Sequence, residues 1–538
     1  MTSNGLVAAV DPSWPVEPVL DVHDIQGIAV PGFLKPQQTL LYVRFPRAGA
    51  DVAASIAAIR QFLAQATISS AEETLDDRRA HRSGRSTENN VLCAVGLTFQ
   101  GLRALVPEAA HMTSAAYRLG LGTRSAMLGD PQGPHEPGDP ANWVVGGSGK
   151  ELDALFVFAG TKRARVNAAA ADASHSLAKA GALVETEEGG VRPDLVGHEH
   201  FGFDDGVSQP GIRGRSSART DDFVTDRHVD PTVSPFEARL SGYPGQALVW
   251  PGELVIGYPS NGPDPLLPGA VSTAGPDWTR NGSFLVFRRL QQDVAAFWNW
   301  IADTRKANSD LNGISDDVAL AARLVGRWPS GAPFNRTPGG ENETLGENSF
   351  ENNNFLFDGD TPDIAFIDGN GVSRRTQFPT LMAKSDPAGI TCPWAAHIRK
   401  VNTRDSGSDM GATLASYKRR LLRVGIPYGP PIVDNYKDDG VDRGLLFLSI
   451  QASIEDQFEF LQARWMNDSM RPKAPGGNDM LVGQNAAAAD GVRSCVLFPP
   501  NTLAITTVKA TKQWVIPRGG GYFFLPSITA LRTVVGSA

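Results

Sequence analysis

Hydrophobic positions along the chain fall into a recurring unit, a short run of strand composition followed by a run with helical spacing. TLLYVRF (39–45) is β-branched and aromatic, and VAASIAAIRQFLAQA (52–66) spaces its apolar residues for a helix among good helix formers. NVLCAVGLTFQGLRALV (90–106) again passes from strand to amphipathic helix, and LDALFVFAG (152–160) precedes an alanine-rich helix over 167–182. In the second half GELVIGYP (252–259), NGSFLVFRRLQQDVAAFWNWIAD (281–303) and RGLLFLSIQASIEDQFEFLQARW (443–465) repeat the unit. The pattern predicts an α+β protein of two similar lobes, each an antiparallel sheet backed by helices.

Residues 1–22 are dotted with proline and aperiodic, which predicts a surface arm. A charged, proline-containing stretch at 214–245 marks the boundary between an N-terminal lobe (23–215) and a C-terminal lobe (216–538). Polar loops at 261–282, 335–354 and 466–490 interrupt the second lobe, and loops this long are more often lids or insertions than accidents. With 538 residues there is room for two sizeable cores, and 41% hydrophobic with 20% charged residues is the composition of a soluble globular protein. No run of 18 apolar residues could span a bilayer, and a net charge of -8 argues against a nucleic-acid binder. Cys93, Cys392 and Cys495 are too few and too scattered for a disulfide framework or a zinc site. MTSNGLVAAVDPSWPVEP has neither a secretory n-region nor a twin-arginine pair, so the expected compartment is the cytoplasm.

Three stretches carry chemistry. GFDDGVSQPGI (202–212) sets Asp204 and Asp205 between Gly202 and Gly206, where the glycines let the main chain approach a flat ligand and aim an acid. Taken alone it reads equally as a solvated Asp-Gly turn. Far downstream, CPWAAHIRKVNTRD (392–405) places His397 in an apolar and basic run, and LLRVGIPYGP (421–430) contributes Arg423 and Tyr428. His198 and His200 could be half of a metal site, but no third ligand stands at metal spacing. GGSGKE (146–151) lacks the first glycine and the Ser or Thr of a phosphate loop, Ser148 does not sit in a nucleophile elbow, and DGDTPD (358–363) is too short for a calcium loop.

Together these stretches resemble the dye-decolourising peroxidase family of haem enzymes, with GxxDG for the distal acid, a later histidine for the iron, and a distal arginine before G-x-P-[YF]-G. The resemblance runs from DIQGIAVPGF (24–33) through LVGRWPSGAPF (324–334) to RGGGYFFLPS (518–527). It implies two ferredoxin-like lobes with haem b held mainly by the second. His397 would be the axial iron ligand, and the lobe-one acid Asp205 would act with Arg423 in catalysis. Arg404, seven residues after His397, takes the position that pairs a haem propionate, and His198 would border the haem. A ligating imidazole needs a carboxylate on its other nitrogen, and Asp479 in GGNDMLVGQ is a candidate by its place in the chain. A Cys392 thiolate, five residues before His397, is the competing iron ligand.

The implied activity is reduction of hydrogen peroxide with oxidation of dyes, phenols and similar small or bulky aromatic donors, with no nucleic acid or membrane partner. Bulky donors would be oxidised at the surface through Tyr428. The rival is a haem carrier or iron-handling protein on the same scaffold, which needs His397 but neither Asp205 nor Arg423.

Overall fold

In the computed structural model the described residues are 16–49, 51–411, 415–488, 490–499 and 504–537. Nine strands form one connected antiparallel sheet: β1 (Gln37–Arg44), β2 (Val91–Leu97), β3 (Ala154–Gly160), β4 (Leu183–Gly190), β5 (Ser283–Gln292), β6 (Leu422–Arg423), β7 (Ile426–Tyr428), β8 (Gly444–Gln451) and β9 (Val515–Leu525). In the first half the spatial order is β4-β1-β3-β2. In the second it is β9-β5-β8, with β6 and β7 pairing the far edge of β8. Both are the fourth-first-third-second order of a ferredoxin-like sheet. The two sheets meet where Phe524 of β9 pairs with Leu97 of β2.

Alternation along the strands divides the core. Leu40 and Tyr42 of β1, Leu285 and Phe287 of β5, and Leu446, Leu448 and Ile450 of β8 fill one cluster, in which Tyr42 stacks on Phe287 with ring centroids 5.6 Å apart. Residues of opposite parity turn outward. Leu41 and Val43 pack with the helices Val52–Gln65 and Arg163–Lys179 in a second cluster that also takes in Phe284, Ile454 and Leu531 from the second half. A third cluster surrounds the helices Val294–Ala307 and Asp317–Val325.

GELVIGYP is not a strand. Pro251 has no N–H to give to a ladder and opens a single 3-10 turn, Pro251–Glu253, while Gly257 takes φ +92°. Leu254, Val255 and Ile256 are nevertheless buried, so the apolar run records burial rather than strand pairing. The expected loop over 261–282 holds the short hairpin Pro259–Asn261 with Pro268–Val271, and that over 335–354 holds the helix Glu343–Glu347. The helix following β8 is a π-helix, Ile454–Met466. Of the expected arm, 1–15 lie outside the described residues. The segment after them is tied down by Glu17, which meets Arg213 and Arg227, and by the Leu20 N–H donating to Arg215 O at 2.9 Å. Among the described residues no helix is long and apolar enough to cross a membrane.

Candidate active site

The outward face of the second sheet carries a cavity of about 260 Å³. Its floor is Arg288 and Leu290 of β5 with Leu445 and Phe447 of β8, residues paired across the two strands. The π-helix adds Phe458, Leu461 and Met466, and the short helix His397–Val401 adds His397, Ile398 and Val401. Leu481 and Val482 come from the long loop after the π-helix, and the first half contributes Glu199, Phe201 and the acid turn 203–208.

His397 begins its helix, and its Nδ1 lies 2.7 Å from Asp479 Oδ2. Asp479 is fully buried, and its other oxygen, Oδ1, accepts from the N–H groups of Leu481 (2.9 Å) and Val482 (3.1 Å). Burial raises the pKa of this carboxyl, but His397 and the two backbone donors outweigh it and hold the group below its usual range. With Nδ1 engaged, Nε2 is the ring nitrogen left for a ligand. Cys392 is fully buried in a cluster with Phe355 and Phe357, does not line the cavity, and burial pushes its thiol up to about 12.

The acid turn is fixed through its main chain. Gly202 and Gly206 both adopt φ +97°, and the Asp205 N–H donates to Gly197 O at 3.0 Å. Arg423 Nη1 donates to Asp205 Oδ1 at 2.6 Å. Gln209 locks the two segments together, its Nε2 donating to Arg423 O (3.0 Å) and its Oε1 accepting from the Arg423 N–H (3.1 Å). Asp204 also lines the cavity. Burial, reinforced by the charge of Asp205 and opposed by His198 and Arg327, raises its carboxyl to about 6.

Three guanidinium groups gather on the cavity wall. Arg404, at φ +51°, donates to the carbonyls of Asn353 and Phe355 (3.1 Å each) and lies 3.7 Å over the Phe355 ring. Arg327 donates to the carbonyls of Gly331 and Asn352 and to Ser208 Oγ. Arg420 is packed by Tyr417, and its buried Nε has no partner. Among the described residues none of the three meets a carboxylate at salt-bridge distance. Burial pushes Arg327 and Arg420 down to about 10 and Arg404 well below its usual value, with the neighbouring arginines adding to the effect on Arg404. Such a cluster suits an anionic ligand.

His397, Asp205, Arg423 and Arg404 therefore line one cavity, and Asp479 stands behind His397. Two further candidates lie off the cavity lining. His198 does not line the cavity; its Nδ1 lies 3.0 Å from Val196 O and its main chain bridges Asp204. Tyr428 is not at the surface: pairing of β7 with β8 buries its ring to 5% exposure under the Arg289 guanidinium, and its hydroxyl donates to Asp442 Oδ1 and accepts from Arg289. Sequence reading passed over Arg327 and Arg420, although one sits in LVGRWPSGAPF and the other in the basic run KRRLLR.

No family model matches the chain. Among curated relatives, the dye-decolorizing peroxidase msp1 of Mycetinis scorodonius is 29% identical over 536 residues, covering 96% of this chain and 88% of the relative. Peroxidase 2 of the same organism is 30% identical over 462 residues, covering 82% and 76%. A solved ancestral D-type dye decolorizing peroxidase superposes with a TM-score of 0.74 at 30% identity, covering 96% of this chain and all of the neighbour. Another dye-decolorizing peroxidase, solved in complex with 2,6-dimethoxyphenol, gives 0.70 at 27% identity over the same shares. Sequence and fold agree along nearly the whole length, and the chain belongs to the dye-decolorizing peroxidase family.

Proposed function

We propose that the cavity holds haem b and that the protein reduces hydrogen peroxide there at the expense of phenols, dyes and similar aromatic donors. The residues present fit that group. Walls of Leu, Phe, Val and Met suit a flat apolar macrocycle, His397 offers Nε2 to the iron, and Arg327, Arg404 and Arg420, which meet no carboxylate among the described residues, offer positive charge to its carboxylates. When bound, the haem supplies the redox chemistry and stores the oxidising equivalents.

The chain's own contribution is positioning and proton handling. Asp479 keeps a proton on His397 Nδ1, which orients the ring and makes Nε2 a better donor of electron density. Arg423 binds Asp205 Oδ1, which leaves Oδ2 to take a proton from peroxide and return it to the departing oxygen as water. The same guanidinium stabilises the negative charge that develops as the O–O bond parts. Gly202 and Gly206 hold this acid without a flexible stem.

The observation that carries the reading is the presence, in one apolar cavity, of a carboxylate-oriented histidine together with an acid–arginine pair. A carrier would need only the histidine. The complexed neighbour supports phenols as donors, since its bound 2,6-dimethoxyphenol is one. The test is haemin titration of the apoprotein. The parent should develop a histidine-ligated Soret band, and His397→Ala should lose it and regain it on adding imidazole, with far-UV circular dichroism unchanged. An unaltered spectrum in His397→Ala would exclude it as the ligand.

A further inference from the structure

Asp204, the other carboxyl of the acid turn, is held differently from Asp205. It is half-buried in the cavity wall and its main-chain N–H donates to Pro329 O at 2.9 Å, but among the described residues no donor meets either side-chain oxygen. Space against those oxygens is left by two glycines of positive φ: a β-carbon on Gly197 would stand 3.3 Å from Oδ1, and one on Gly331 3.1 Å from Oδ2. Asp205 faces this carboxyl from the same turn, His198 from the segment whose main chain bridges it, and Arg327 from beyond the helix Asp317–Val325. Glu199 and Arg423 face Asp205 in turn. Burial, with Asp205 adding to it and His198 and Arg327 opposing, raises Asp204 to about 6, so it carries a proton in mildly acidic solution.

Reduction of hydrogen peroxide to two waters consumes two electrons and two protons. Asp205 only moves peroxide's own proton from one oxygen to the other, so the first water leaves without a proton being taken from solvent. The two that the second oxygen needs arrive with the donors' electrons, and Asp205 ends the first step as it began, bound to Arg423. We propose that Asp204 is the acid that supplies these two protons, drawing them from solvent on the His198 side. This rests on the peroxidase reading. With each electron from a donor the Asp204 O–H bond breaks, a new O–H bond forms on the oxygen that is to leave as water, and the carboxylate takes a replacement proton from solvent. A phenol sheds a proton together with its electron and so carries its own supply. A donor that gives up an electron alone, such as ferrocyanide, depends on Asp204. The step needs the protonated carboxyl, so it is fastest below about pH 6 and fails as pH rises through that value.

The experiment compares the holoenzyme with Asp204→Asn and His198→Gln at matched haem content. Infrared spectra of the parent should show a protonated-carboxyl band that fades as pH rises through about 6 and is missing from Asp204→Asn. In double-mixing stopped flow, with peroxide first and ferrocyanide second, the ferrocyanide phase of the parent should slow over the same range. Asp204→Asn should be slower by about 100-fold at about pH 5 and lose the pH dependence, while oxidation of a small phenol suffers less. His198→Gln leaves the cavity lining intact and removes a positive charge near Asp204, so the band and the kinetic limb should move together to higher pH. A carboxyl band or a ferrocyanide phase that Asp204→Asn leaves as in the parent would overturn the assignment. Equal losses with ferrocyanide and phenol would overturn it as well, since they would report distorted packing. Should Asp204→Asn fail to fold, His198→Gln decides alone, and a band and limb that part company there would overturn the proposal. A parent that consumes no peroxide with a small phenol would instead sink the peroxidase reading.

Discussion

Asp479→Asn tests how the cavity prepares its histidine. The substitution keeps size and shape, but the asparagine amide cannot satisfy both neighbours. Leu481 and Val482 N–H both require an acceptor, so Oδ1 of the amide must stay toward them and its NH₂ must face His397 Nδ1. The imidazole then has to accept at Nδ1, which moves its proton to Nε2 and closes the nitrogen that would hold iron. Rotating the amide restores the histidine bond but sets an NH₂ against two part-buried N–H groups, each left unsatisfied at up to about 1–3 kcal/mol. The first arrangement is cheaper, so the loss falls on the ligand. Changes to such an orienting partner reduce metal affinity by about 10–100-fold, or about 1.4–2.8 kcal/mol. Haemin titration followed at the Soret band measures it. Equal haem affinity and an identical spectrum in Asp479→Asn would refute the argument that this carboxylate sets the tautomer.

The same carboxyl predicts a pH effect. Its folded pKa is depressed, so its stabilisation is complete above the unfolded value near about 4 and disappears as pH falls through the folded value. The stability difference between parent and Asp479→Asn should therefore shrink in acid-unfolding curves below about pH 4. Asp205→Asn and Arg423→Leu should retain haem yet slow the stopped-flow reaction with peroxide, the former by about 10²–10⁴-fold; parent-like rates in both would remove the pair from the chemistry. Gly202→Ala meets no atom within 4 Å, so its cost is that of a positive φ alone, about 1–2 kcal/mol by thermal unfolding.

Most of the cavity's chemistry was legible because it lies in short stretches with turn or ligand signatures. The roles of Asp205, His397 and Arg423 follow from the joint resemblance of their stretches to the family, since no single stretch is specific, and Asp479 is a candidate by its place in the chain. Arg327 and Arg420 were not found, because an arginine in a basic run looks the same whether its counter-charge is solvent or a missing anion. Tyr428 was misjudged for a related reason. Its surface role was implied by the family resemblance alone, whereas the pairing of β7 with β8 that buries it is a tertiary fact. The antiparallel lobes followed from local patterning, but their junction through Phe524 and Leu97, 427 residues apart by position, left no local trace.

That junction bears on how the protein is made. β9 is the last strand among the described residues, and it completes the second sheet while its end joins the first. The segment after it, Leu531–Val535, packs into the core beneath the first helix. During synthesis the N-terminal half therefore leaves the ribosome with the exposed edge of β2 and part of its apolar core uncovered, and both wait until residues 515–535 have emerged. At about 5–20 residues per second that interval lasts tens of seconds. Such late, long-range closure makes folding slow and leaves a sticky intermediate, so yield in cells should depend on chaperone capacity and on translation speed between β4 and β9 more than on the final stability of the fold.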